Sequence, residues 1–234
     1  MKKKVIVLSL GGSLIIPEEI DTKFLKKFKK IILKNSKKYK FVVVCGGGNT
    51  ARKYIQGLEK EEISNKKIFQ GLLGISSTRI NAKFLTYFIG KNDIKTNKEI
   101  PHNMVEVKNL LKFNDIVFCG ALRYAKKETS DGTSAKLSNF LSTEFINLTN
   151  VDGLYDKNPK KFKNAKFIPK ISWKNFNEMA NEIKFKPGQH FVLDQTAAKI
   201  IMKNKIPTYI IGENLKNLDN FLNNKKFKGT KIKD

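Results

Sequence analysis

Apolar and polar positions follow two rhythms along this chain. Compact apolar runs recur at Val5-Ile6-Val7-Leu8, Phe41-Val42-Val43-Val44, Ile116-Val117-Phe118, Phe145-Ile146-Asn147-Leu148 and Thr208-Tyr209-Ile210-Ile211. Short β-branched runs of this length predict buried strands of a parallel sheet. Between them apolar residues fall at helical spacing, as at Phe24, Leu25, Phe28, Ile31 and Ile32 within Ile20 to Leu33. Further helices are predicted from about Thr50 to Leu58, Leu72 to Ile89, Val105 to Leu111, Asp131 to Leu141, Thr196 to Met202 and Leu215 to Leu222. Gly229 to Ile232 reads as a final edge strand, Gly120 to Thr129 as a loop, and Thr149 to Lys163 as a turn-rich stretch. The alternation predicts an α/β sandwich on a mainly parallel sheet. A soft boundary near Asn147 divides residues 1–146, expected to bind an acceptor, from residues 147–234, expected to bind a nucleotide.

Two of the strands run directly into glycine clusters, Gly11-Gly12-Ser13 and Gly46-Gly47-Gly48. Glycine past a strand end lets the backbone turn tightly and come close to a ligand. A helix that follows offers free N–H groups to an anion. Two such corners on neighbouring strands predict a phosphate-handling cleft.

Composition narrows the classes. At 234 residues, 40% hydrophobic and 10% aromatic, the chain can bury a sizeable core. No apolar run approaches the roughly 20 residues of a membrane span. The apolar stretch after Met1-Lys2-Lys3-Lys4 breaks at Gly11-Gly12 and meets Pro17, so it reads as a strand and a cytoplasmic protein is expected. The net charge of +25 attracts polyanions, but the lysines are spread along the chain and only three arginines occur, at 52, 79 and 123. Nucleic-acid surfaces favour arginine forks and clustered charge, so no dedicated nucleic-acid partner is expected. In so lysine-rich a chain an arginine can mark a need for a planar bidentate donor. Cys45 and Cys119 each end an apolar run and are expected as small buried thiols.

No Walker-type spacing is present, and Gly46-x-Gly48-x-x-Ala51 is a weak dinucleotide fingerprint with no acidic residue ending the next strand. His102 and His190 stand alone, without the neighbours that would hold zinc or build a triad, so no protein-held metal is expected. Three further segments place polar groups at helix starts or turns: Thr129-Ser130-Asp131-Gly132-Thr133, Thr149-Asn150-Val151-Asp152-Gly153-Leu154-Tyr155, and Leu193-Asp194-Gln195-Thr196-Ala197. Taken singly, each is explained by N-capping or a routine turn.

Taken in order, the segments resemble the amino-acid-kinase superfamily and, within it, the archaeal-type uridylate kinases. The resemblance is carried by Ser9 to Ser13, by Gly46-Gly47-Gly48-Asn49-Thr50-Ala51-Arg52-Lys53-Tyr54-Ile55, and by Thr78-Arg79-Ile80-Asn81-Ala82. It continues through Thr129-Ser130-Asp131, Thr149 to Tyr155, and Asp194 with Ala197-Ala198-Lys199. It implies a three-layer αβα sandwich, a homohexamer, and transfer of the ATP γ-phosphoryl group to UMP with Mg²⁺. Carried over by position, Gly12, Ser13, Gly48, Arg52, Thr149, Asn150, Tyr155 and Asn158 would meet ATP. Gly47, Gly71, Arg123, Thr129 and Ser130 would meet UMP, with Arg52 and Asp131 as the catalytic pair.

The chain departs from the family pattern at three places. Ser9 stands where many members have a lysine, which the archaeal-type subgroup also lacks, and Arg52 is the first candidate to replace its charge. Gly71 stands where members carry a ribose-binding aspartate. The acceptor loop reads Ala121-Leu122-Arg123-Tyr124-Ala125-Lys126-Lys127-Glu128 instead of a Gly-His-rich run. There Arg123 and the lysines offer phosphate contacts and Tyr124 a ring for a base; a solvated lysine-rich loop is the plain alternative. Two rivals stay open: a phosphotransferase with another acceptor, such as isopentenyl phosphate, and a catalytically silent nucleotide-sensing subunit.

Overall fold

The computed structural model describes residues 3–90, 95–124, 128–182 and 192–234. The apolar runs form strands β1 (Lys4–Leu10), β2 (Tyr39–Cys45), β3 (Ile116–Cys119) and β4 (Phe145–Leu148). Three two-residue strands follow, β5 (Leu154–Tyr155), β6 (Phe167–Ile168) and β7 (Lys170–Ile171), then β8 (Thr208–Ile211) and β9 (Thr230–Ile232). The helices are α1 (Gly12–Ile15), α2 (Thr22–Asn35), α3 (Gly48–Glu59), α4 (Lys66–Ile89), α5 (Met104–Phe113), α6 (Ser130–Phe140), α7 (Trp173–Glu182), α8 (Gln195–Lys203) and α9 (Leu215–Leu222).

The main sheet has the order β3-β2-β1-β4-β8-β9-β7, and only the β8–β9 pair is antiparallel. The order reverses at β1, so β2 and β4 flank it and their following loops open on either side of it. In α/β sheets that crevice is where ligands settle. The final strand is not at the edge as expected: β7 pairs outside β9 and takes that place. Two residues of β7 give no periodicity to read, so its pairing is fixed by the fold around it.

Strand alternation sorts the core into two layers. Ile6, Leu8, Leu10, Phe41, Val43, Ile116, Phe118, Ile146 and Leu148 face α1, α2, α4 and α9. Val7, Val42, Val44, Val117 and Cys119 face α5 and α6, and Phe145 and Ile210 face α6, α7 and α8. The expected α/β, three-layer αβα sandwich on a mainly parallel sheet is therefore what the chain forms. Cys45 packs in one layer and Cys119 in the other, so they are buried thiols on opposite sheet faces. Burial raises both thiols, Cys119 to about 12.

Helix α4 starts at Lys66, six residues before the expected Leu72. Its first turns carry Gly71 and Gly74, which argue locally against helix. Packing explains them: a narrow ridge of small residues, Gly71, Gly74, Ser77 and Thr78, lets two loops approach the axis closely. Among the described residues, no helix is long and apolar enough to cross a membrane.

Candidate active site

The two glycine corners touch. A Cβ on Gly12 would collide with the Gly48 amide nitrogen and lie 2.7 Å from the Gly48 Cα, and one on Gly46 would lie 2.9 Å from the Gly12 Cα. Only glycine permits this approach. Gly48 also has φ +62°, in the left-handed region that other residues rarely adopt. The Gly46 N–H donates to the Leu10 carbonyl at 2.9 Å, which locks the second corner onto the end of β1.

Helix α4 orients the second corner. Asn81 Nδ2 donates to the carbonyls of Gly46, at 2.8 Å, and Gly47, at 3.3 Å. With those carbonyls turned to α4, the opposite side of the turn presents amide hydrogens. Among the described residues the N–H groups of Gly12, Ser13, Gly47 and Gly48 find no acceptor. Four neighbouring donors without acceptors, two of them at the start of α3, are suited to phosphate oxygens.

The same helix grips the loop after β3. The Thr78 hydroxyl accepts from the Ala121 N–H at 2.9 Å, and Arg79 donates to the carbonyls of Ala121 and Leu122 at 3.2 and 2.7 Å. Arg79 thus holds a loop rather than reaching for a phosphate, and the Thr-Arg-x-Asn run clamps the second glycine corner and the loop after β3. Tyr124 follows, its ring against Gly71. Arg123 is exposed beside it.

Across β1, a polar cluster sits where α6 and α8 begin. Ser9, on the sheet face toward α6, donates to Asp131 Oδ1 at 2.9 Å. Thr129 caps α6: its hydroxyl accepts from the Asp131 N–H, while its own N–H and hydroxyl donate to Asp194 at 3.1 and 2.5 Å. Asp194 in turn caps α8 by accepting from the Ala197 N–H at 2.7 Å. Burial, followed by the Asp194 charge, pushes the Asp131 carboxyl up to about 7 against the opposing Ser9 hydrogen bond. Asn147, the in-register neighbour of Ser9, donates to the Val192 carbonyl and ties β4 to the α8 side. Nothing in the sequence pattern singles out Asn147 except that it is polar within an apolar strand.

The remaining expected residues are scattered around this frame. Ser13 lies in α1 and Ser130 begins α6 beside Asp131. The Thr149 N–H donates to the Ile211 carbonyl at 3.0 Å, and Asn150 follows it, half-buried, at the end of β4. The Tyr155 ring meets Phe167 edge-on at 5.4 Å, and Asn158 Oδ1 accepts from the Lys160 N–H in a local turn. One Arg52 nitrogen donates to the Pro17 carbonyl at 3.0 Å and pins the segment after α1 to α3. Lys126 and Lys127, expected to offer phosphate contacts, and the isolated His190 lie outside the described residues.

Among the described residues no group of three or more His, Cys, Asp or Glu is gathered that would hold a metal by itself. Mg²⁺ needs only one or two carboxylates when substrate phosphates and water complete its shell. Asp131 fits that chemistry, because Ser9 engages only one of its oxygens. Asp194 fits it less well, since both its oxygens are engaged by Thr129 and Ala197.

The fold and the paired glycine corners define a class, and comparison with known proteins agrees. The profile of the amino acid kinase family matches residues 4–212. The chain belongs to the amino acid kinase family. It is 34% identical over 209 residues to a uridylate kinase of Thermococcus kodakarensis, covering 89% of this chain and 90% of that protein. It is also 34% identical over 231 residues to a uridylate kinase of Thermoplasma volcanium, covering 98% and 97%. The crystal structure of uridylate kinase from Archaeoglobus fulgidus superposes with a TM-score of 0.83 at 32% identity, over 97% of this chain and 99% of that one.

Proposed function

We propose that this chain is a UMP kinase, which transfers the γ-phosphoryl group of ATP to UMP and yields UDP and ADP. The observation that carries the reading is the direct contact between the Gly12 and Gly48 corners, with four amide hydrogens free on them. Two anions meeting end to end need positioning and charge neutralisation more than a nucleophilic side chain. In this reading Gly12, Ser13 and Gly48 hold the ATP phosphates, and Gly47 holds the acceptor phosphate. Thr149, Asn150, Tyr155 and Asn158 line the ATP side, in residues 147–234. Thr129, Ser130, Arg123 and the Gly71 ridge line the UMP side, with residues 1–146.

Arg52 stands on the second turn of α3, and its guanidinium neutralises charge on the group in flight. Asp131 orients the cations around the transfer, and Ser9 fixes its carboxylate. Asp131 would hold a Mg²⁺ ion bound with ATP, and that ion would supply charge neutralisation. The same reading places the protein in the cytoplasm as a homohexamer. Exposed Ile68, Phe69, Leu72, Ile80 and Tyr87 on α4, with Tyr54 on α3, favour such self-association.

The test is a steady-state assay of the full chain with ATP, Mg²⁺ and, in turn, UMP, CMP, isopentenyl phosphate and carbamate. UDP formation as the preferred reaction is expected. Activity confined to a non-nucleotide acceptor would overturn the proposal, and ATP binding without turnover of any acceptor would favour a sensing subunit.

A further inference from the structure

Gly71 and Tyr124 lie 53 positions apart yet meet as a fitted pair. A Cβ built on Gly71 would run into Tyr124 Cε2, with Cδ2 at 2.9 Å and Cζ at 3.7 Å. These three distances place the built Cβ close to the plane of the ring, so Tyr124 meets Gly71 edge-on. The ring cannot wander far, since Arg79 and Thr78 hold the backbone of Ala121 and Leu122 just before it. Tyr124 nevertheless stays 37% exposed.

The position relative to the acceptor corner gives the ring a use. A Cβ on Gly47 would lie 3.6 Å from the Gly74 carbonyl, so that corner sits over α4 one turn along from Gly71. Three residues of helix span about 4.5 Å. A phosphate held at Gly47 therefore shares the Gly71-Gly74 ridge of α4 with the exposed ring. We propose that Tyr124, seated in the notch left by Gly71, is the stacking wall for the base of the acceptor nucleotide. It sets the requirement that the acceptor carry an aromatic base. The inference rests on the assignment of Gly47 to the acceptor phosphate.

Tyr124→Ala is expected to raise the KM for UMP about 5- to 150-fold, the span of single base-aromatic stacks, with the KM for ATP unchanged. Tyr124→Phe keeps the stack and stays within about threefold of wild type on the same principle. Gly71→Ala, which displaces the ring, raises the KM for UMP in the wild-type background and adds nothing in the Tyr124→Ala background. A UMP KM unmoved by Tyr124→Ala, or an equal rise for ATP, would overturn the inference while leaving UMP phosphorylation intact. A direct readout needs no turnover: emission from the Tyr124→Trp variant, corrected for Trp173, is expected to quench with UMP and not with ribose 5-phosphate. Equal response to both, or to neither, would also overturn it.

Discussion

Replacing Asp131 by asparagine should stabilise the protein at neutral and alkaline pH while removing activity. The Asp131 carboxyl is raised from 3.8 to about 7 by burial and by the nearby Asp194 charge. A folded-state value above the unfolded one means that the native protein binds the proton more tightly. Stability attributable to this group is thus present below about pH 4, falls as pH rises toward about 7, and is flat beyond. At about 1.36 kcal/mol per unit, the full displacement corresponds to about 4 kcal/mol of lost stability. Water reaching the carboxylate reduces that figure, so roughly 2–4 kcal/mol is expected, and asparagine escapes it while still accepting the Ser9 hydrogen bond. For a chain of this size that is a gain of roughly 5–15 °C in Tm. The assay is thermal unfolding of wild type and Asp131→Asn at matched salt from about pH 4.5 to 8.5, read as the difference between them so that titrating groups remote from Asp131 cancel. The variant's advantage should widen with pH up to about 7 and then level off. An advantage that is constant with pH, or a variant less stable at pH 8, would refute the reasoning.

Other outcomes follow from the same geometry. Gly12→Ala places a methyl against the Gly48 backbone, so chemical denaturation should show a loss of about 1–3 kcal/mol or more, with impaired binding of both substrates. Asn81→Ala leaves the Gly46 and Gly47 carbonyls without a side-chain donor; a cost of about 1–3 kcal/mol and a raised KM for UMP are expected from denaturation and kinetics. Arg52→Ala should lower kcat by roughly 10²- to 10³-fold, the scale of one lost transition-state donor, with circular dichroism and Tm nearly unchanged. Cys45 and Cys119 should resist a thiol reagent until the protein unfolds, since both are buried and raised.

What the sequence makes legible is local. The glycine corners announce themselves because strand, turn and helix start are contiguous in the chain. The caps Thr129 and Asp194 are legible as helix starts, yet not as partners, because their hydrogen bond joins residues 65 positions apart. Arg79 reads as a candidate anion donor, whereas the fold turns it onto two carbonyls of a loop 42 and 43 positions away. Gly71 reads as a missing carboxylate, and only the structure shows that the Tyr124 ring fills the place of its side chain. Strands β7 and β9, of two and three residues, escape placement because such short elements are fixed by partners rather than by pattern, and helix α7 goes unread. Helix α4 begins early because small residues that look like breakers are the ones two approaching loops require.

The central claim is that the two corners hold donor and acceptor phosphates end to end. A bisubstrate ligand, adenosine and uridine joined through a polyphosphate bridge, tests this most directly when titrated against the full chain by calorimetry. One ligand per chain is expected, with competition against both ATP and UMP and binding at least about 10²-fold tighter than either alone, because joining the halves makes the second contact intramolecular. Competition with only one substrate, or affinity no better than that of the tighter half, would contradict it.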